Sequence, residues 1–186
     1  MPTVPRTSVA AIVAAGREVL AAEGLDGLTM QRVAARVGVR APSLYKRVQD
    51  RSALVRLVAE QVLAEVGTLL DDAARTGDAE RDLRALAAAL REFARRDPSA
   101  YGLLFTPLPA AMAPAPALFA ASVAPVLRVC EELAGPERAL DAARTVTAWA
   151  SGFLRMEALG GFQLGGSSDE AYEFGIGLLA GGLSRG

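Results

Sequence analysis

This chain predicts an all-α fold of about nine helices, and three observations carry that reading. Apolar residues recur three and four positions apart from Val9 to Leu183. No stretch alternates apolar and polar residues over the length of a strand. Breaking and capping residues punctuate the periodic runs, as at Gly24, Thr29, Gly38, Asp50, Gly77 and Gly160-Gly161.

The elements follow in chain order. Ile12, Val13, Val19 and Leu20 share one face of a helix over residues 9–22, with Thr7 or Ser8 as N-cap and Gly24 at its end. Thr29 caps a second, short helix in which Met30, Val33, Ala34 and Val37 form the apolar face, and Gly38 ends it. Proline disfavours helical backbone in the residue before it, so Ala41 is expected outside a third helix that starts at Pro42 and runs through Arg47. Leu44 and Val48 face the core. Asp50 caps a fourth helix, where Leu54, Val58, Val62, Val66 and Leu70 repeat every fourth residue. Over residues 51–75 it would extend about 37 Å, enough to link a head to a body. Beyond Gly77, helices are expected over 83–95, briefly after Pro98, over 118–133, from Pro136 to Gly160-Gly161, and from Ser168 onward, with a proline-rich joint at 106–116. The domain reading is 1–50, 51–75 as a connecting helix, and 76–186. No internal repeat is present.

Composition narrows the function. Hydrophobic residues make up 52% and charged residues 22%, which suits a packed core. The net charge of −1 argues against a nucleic-acid binder until it is resolved along the chain. Residues 1–60 hold nine Lys/Arg against five Asp/Glu, so the head is basic and the remainder acidic. There is no histidine and Cys130 is the only cysteine, which excludes Ser-His-Asp and Cys-His catalysis, histidine metal sites and an intrachain disulfide. Gly160-Gly161 and Gly165-Gly166 are turn punctuation rather than a phosphate-binding loop. The reading is therefore a non-enzyme without cofactor. Residues 98–127 carry no charge, but six prolines fall among them and argue against a membrane span. The first six residues lack the apolar run of a secretory signal, so a cytoplasmic location is expected.

Two short helices joined through Gly38 have the size of a helix-turn-helix, whose second helix enters the major groove of DNA. Its outward face would comprise Arg40, Ala41, Pro42, Ser43, Tyr45, Lys46 and Arg47. Arg and Lys pair with guanine or phosphate, Ser does either, and Tyr commonly meets phosphate. Thr29 and Arg51 open neighbouring helices, where free N–H groups and the helix dipole favour an anion. Charges elsewhere on the head, at Arg17, Arg32, Arg36 and Arg56, read as ordinary surface.

Residues 29–54, TMQRVAARVGVRAPSLYKRVQDRSAL, resemble the signature of the TetR family of bacterial repressors, and the likeness extends over residues 8–66. The resemblance implies phosphate contacts from Thr29, Tyr45 and Arg51, and base or further phosphate contacts from Arg40, Ser43, Lys46 and Arg47. Val48 stands where Phe is commoner and Arg47 where His is frequent. Thr147 to Gly160, TAWASGFLRMEALG, is similar to the Trp-x-x-Gly helix of one TetR C-terminal subgroup, with Ser151 in place of that subgroup's His.

The resemblance also implies a helical body that binds a small molecule and dimerises. The last two long helices, 136–159 and 168–183, are expected to form a homodimer surface. Tyr101, Phe105, Met112, Phe119, Trp149, Phe153 and Met156 are the candidate pocket for a small apolar ligand. The functional expectation is a homodimeric repressor on a palindromic operator, released by that ligand. The alternatives are an activator of the same fold, or a helical ligand-binding protein or enzyme without a DNA function.

Overall fold

A computed structural model of the chain describes residues 7–184, which fold into nine helices and, among the described residues, no strand. They are α1 (Val9–Gly27), α2 (Met30–Val37), α3 (Ala41–Tyr45), α4 (Arg51–Ala73), α5 (Ala79–Arg96), α6 (Pro98–Leu104), α7 (Pro116–Ala134), α8 (Ala139–Ala158) and α9 (Ser168–Leu183). The first six residues, read above for the lack of an apolar leader, lie outside the described part.

Local chemistry explains most boundaries. Ser8 accepts from the Ala11 N–H at 3.1 Å and Asp50 from that of Ala53 at 2.8 Å, so the starts of α1 and α4 are capped as expected. Asp97 caps α6 through Ala100 at 2.9 Å, and Ser167 caps α9 through Glu170 at 3.3 Å. Each such cap contributes about 1 kcal/mol.

Several boundaries differ from the sequence expectation; α5 begins at Ala79 rather than at residue 83, and α7 at Pro116 rather than at residue 118. The first helical run breaks at Gly24, where the sequence places its end, but helix resumes beyond the break. Gly24 stands at φ 70°, ψ −173°, and a further turn continues to Gly27 before Leu28 donates to the Leu25 carbonyl at 3.2 Å. The third helix includes Ala41. Arg40 takes the extended conformation of the N-cap, leaving Pro42 in the first turn, where N–H groups have no intrahelical acceptor in any case. Pro136 does not open α8. Residues 136–138 form a turn closed by Arg138 N–H on the Gly135 carbonyl at 3.2 Å, and the helix begins at Ala139.

The described residues fall into two compact units, 7–65 with 97–119, and 66–96 with 120–184. In the first, α1, α2, α3, α6 and the beginning of α4 enclose Ile12, Leu28, Val33, Leu44, Val48, Leu54 and Val58, all buried. Each side chain removed from water in this way contributes about 1.5–3 kcal/mol. The second unit is centred on Tyr172, wholly buried, whose hydroxyl donates to the Ala87 carbonyl at 3.0 Å. Trp149 stacks on Tyr172 with ring centres 5.0 Å apart, and Phe153 meets it edge-on at 5.0 Å. The Arg91 guanidinium lies 4.5 Å over the same Tyr172 ring.

Candidate nucleic-acid interface and apolar cavity

The helix-turn-helix is built by α2 and α3. Gly38, in the left-handed region at φ 78°, ends α2, a conformation in which any side chain would be strained. Val39 N–H returns to the Ala34 carbonyl at 2.9 Å, which reverses the chain. Val33 and Ala34 from α2 and Leu44 and Val48 from α3 and its exit are buried and set the crossing of the pair. Val48, where an aromatic would be commoner, is therefore a packed core residue.

With Leu44 fixed inward, the outer side of α3 is determined. Arg40, Pro42, Tyr45, Lys46 and Arg47 are exposed, Tyr45 at 51%, and Ala41 and Ser43 are half-buried. No ion pair or side-chain hydrogen bond joins Arg40, Tyr45, Lys46 or Arg47 to another described residue. The other arginines of the first unit stand in contrast. Arg32 pairs with Glu23 at 3.1 Å, Arg36 pairs with Glu18, and Arg56 donates to the Ala111 carbonyl at 3.2 Å. Arg17 bridges Glu65 at 2.9 Å and Asp97 at 2.6 Å. Thr29 uses its hydroxyl oxygen to accept from the Arg32 N–H at 3.3 Å. The Arg51 guanidinium donates to the carbonyls of Leu28 at 2.9 Å and Leu25 at 2.7 Å, closing off the C-terminal end of α1. No local pattern signals that attachment, because the acceptors are backbone atoms more than twenty residues away.

The seven aromatic and sulfur residues chosen as a pocket divide between the units. Tyr101, Phe105, Met112 and Phe119 lie in the first; Trp149, Phe153 and Met156 lie in the second. Tyr101 and Phe105 touch, ring centres 5.1 Å apart, with Tyr101 buried and Phe105 exposed. The Tyr101 hydroxyl has no hydrogen-bond partner, and burial pushes its pKa up to about 12. Met112 sits in a turn, its N–H on the Pro109 carbonyl at 2.8 Å. Trp149 and Phe153 pack around Tyr172, and Met156 borders an open groove of ≈ 840 Å³ along the α8–α9 loop.

The first unit also holds a smaller cavity, ≈ 200 Å³, walled by Ala59, Val62 and Leu63 of α4, by Leu103 and Leu104 of α6, and by the joint between α6 and α7, with Phe119 at its edge. No charged side chain lines it, and Thr106 supplies its hydroxyl. Of the seven residues chosen from sequence, Phe119 alone lines it. Its helical wall residues on α4 and α6 are aliphatic and carry the same periodicity as core, so no sequence signal marks them.

A third surface feature is apolar. Gly152 and Met156 on α8 with Leu159 just past its end, and Ala171, Phe174, Leu178 and Gly182 on α9, fall at helical spacing and are all exposed, with Leu159 at 75% and Phe174 at 69%. Among the described residues no helix is long and apolar enough to cross a membrane.

Comparison with known proteins gives the geometry a context. Residues 12–58 match the family model described as bacterial regulatory proteins, tetR family, and residues 83–179 match a tetracyclin repressor-like C-terminal domain. The class A tetracycline repressor of Escherichia coli is 39% identical over 54 residues, which is 29% of this chain and 25% of that repressor's own length. Among solved structures, a TetR variant of Acinetobacter baumannii AYE in complex with minocycline is 26% identical, with a TM-score of 0.69, covering 96% of this chain and 97% of that one. A Rhodococcus protein of unknown function is 24% identical with a TM-score of 0.81 over 98% and 97% of the two chains, and shares the fold.

Proposed function

We propose that this chain, which belongs to the TetR family of DNA-binding transcriptional regulators, represses transcription as a homodimer and leaves its operator when a small apolar molecule occupies the body. The observation that carries the reading is the outer face of α3. Arg40, Tyr45, Lys46 and Arg47 are exposed and meet no carboxylate, while every other arginine within α1, α2 and α4 of the first unit has a partner. Cations held without counter-ions on a groove-sized helix fit a duplex, whose phosphates and base edges would supply the partners. In this reading Arg40, Ser43, Lys46 and Arg47 contact bases and phosphates, with Ala41 and Pro42 close to the groove floor. Tyr45, Thr29 and the N-terminal turn of α4 at Arg51 hold phosphates. The cytoplasm, where the duplex is, would be its compartment.

A two-fold dimer follows from the exposed apolar faces of α8 and α9, which cost solvation free energy unless covered. Two heads about 34–36 Å apart would read a palindrome. The ligand reading rests on the ≈ 200 Å³ cavity with its uncharged wall. A gel shift of the purified protein on its own upstream DNA, with unrelated DNA as competitor, tests the whole. A specific shift that weakens steeply with salt is expected. Binding that unrelated DNA competes away equally well would defeat the operator reading. Sedimentation of Leu178→Glu tests the dimer: the variant should run as a monomer and lose most operator affinity.

A further inference from the structure

We propose that Arg17 is the positioning residue that couples the apolar cavity to the DNA-reading helices, sensing occupancy by a neutral, ring-sized apolar molecule. The proposal rests on reading that cavity as a ligand site, and its observations are geometric. Two of the helices that wall the cavity are α4, with Val62 and Leu63, and α6, with Leu103 and Leu104. Arg17, on neither wall, holds one carboxylate from each. Its Nη1 donates to Glu65 at 2.9 Å, two residues beyond Leu63 on α4, and its Nη2 donates to Asp97 at 2.6 Å, the residue that starts α6.

Asp97 serves two ends at once. One carboxylate oxygen caps α6 at Ala100, and the other takes Arg17. With α6 only seven residues long, a displacement of Leu103 and Leu104 must reach Asp97, about 10 Å away along the rod. A guanidinium is a planar fork with fixed donor directions, so it cannot follow two diverging carboxylates by flexing its head group. When the walls move apart, α1 must move with one of them or a hydrogen bond must break. The Arg17 side chain is only 16% exposed, and its Nε is buried without a partner, so water is poorly placed to replace a lost carboxylate. Burial opposes its charge, but the hydrogen bonds to Asp97 and Glu65 outweigh that, and the group stays protonated. Movement of α1 reaches the DNA-reading pair because α1 packs on α2 and Arg51 ties its C-terminal end to α4.

The occupant's class follows from the cavity. The cavity is ≈ 200 Å³ and partly open to solvent, its wall is mainly aliphatic, and no charged residue lines it, a surface suited to a small neutral apolar ring. A carboxylate or ammonium would lose its hydration there without a counter-ion.

Toluene is the probe, and hydrogen exchange of the full chain, read by mass spectrometry, is the measurement. In the wild-type protein toluene should slow exchange around residues 59–63 and 103–104, and change exchange in α1 by about fivefold, a coupling at the low end for linked sites. Asp97→Asn keeps a capping oxygen for Ala100 but removes the charge. Arg17→Lys keeps the charge but loses the fork. Both variants should retain the cavity protection and lose the α1 response. An α1 response of wild-type size in either folded variant overturns the proposal, as does toluene protection of the cavity with α1 unchanged in the wild type, or no cavity protection at all. A failed gel shift beside an intact α1 response would strike the DNA reading and leave the coupling standing.

Discussion

Arg91 and Arg95 of the second unit and the arginines flanking α3, Arg40 and Arg47, show opposite uses of one side chain. Arg91 is buried, its Nε on Glu157 at 3.1 Å and a second nitrogen on Asp169 at 2.9 Å, with Arg95 and Ser168 completing the set at 2.9 and 3.0 Å. Both carboxylate oxygens of Glu157 accept hydrogen bonds within the protein. On and beside α3, Arg40, Tyr45, Lys46 and Arg47 have no such partner among the described residues. An arginine that has found its carboxylate holds a fold together; one left without it is available to an anion from outside. Counting arginines therefore says little, and tracing their partners says much.

The comparison can be broken most severely at Glu157. Glu157→Gln leaves a buried guanidinium without its main partner and should cost about 2–3 kcal/mol in urea unfolding, toward the low end for a broken buried pair because Asp169 remains. The same group sets an acid limb. Hydrogen bonding from Arg91 foremost, then Arg95 and Ser168, holds its pKa down to about 2 from 4.5, against the effect of burial. A carboxylate so depressed contributes stability that is complete above its ordinary pKa and is lost as pH falls from about 4.5 toward 2. Stability measured against pH should slope through that window in the wild type and flatten in Glu157→Gln. A variant that unfolds like the wild type at every pH would remove the network from any structural role.

Smaller effects sharpen the α3 side. Arg40→Ala should relax preference at one base step by about 1–3 kcal/mol, read by binding to a set of single-base operator variants. Equal loss on all of them would make Arg40 a phosphate contact. Lys46→Ala should weaken binding on every sequence and reduce the slope of log affinity against log salt by about one. Smallest is Arg36→Ala, whose exposed partner is Glu18: operator affinity and stability should both stay within about 0.5 kcal/mol. A large loss of DNA binding there would mean that intramolecular pairing does not separate the two classes.

Several features were legible because their causes are local. Gly38 and Thr29 punctuate α2 as read, Asp50 caps α4, and the four-residue repeat from Leu54 to Leu70 is buried throughout. Arg32, Arg36 and Arg56 read as surface and have surface-type partners. Arg17 read the same way and is instead a bridge, because its carboxylates lie 48 and 80 residues along the chain. The aromatic and sulfur residues grouped as one pocket belong to two units, and of them only Phe119 lines the ≈ 200 Å³ cavity of the first unit, beside aliphatic residues of α4 and α6. Residue type distinguishes a large side chain from a small one, but not a packed wall from an empty one.

The sequence alone determined the helices, the turn at Gly38, the basic head and the identity of the face that α3 turns outward, since each depends on periodicity or on a residue's own backbone preference within a few positions. Only the tertiary structure decided which arginines are engaged, what Arg51 holds, and where empty volume remains. Those outcomes depend on which side chains from distant helices meet, and short-range preferences do not encode the distance between them.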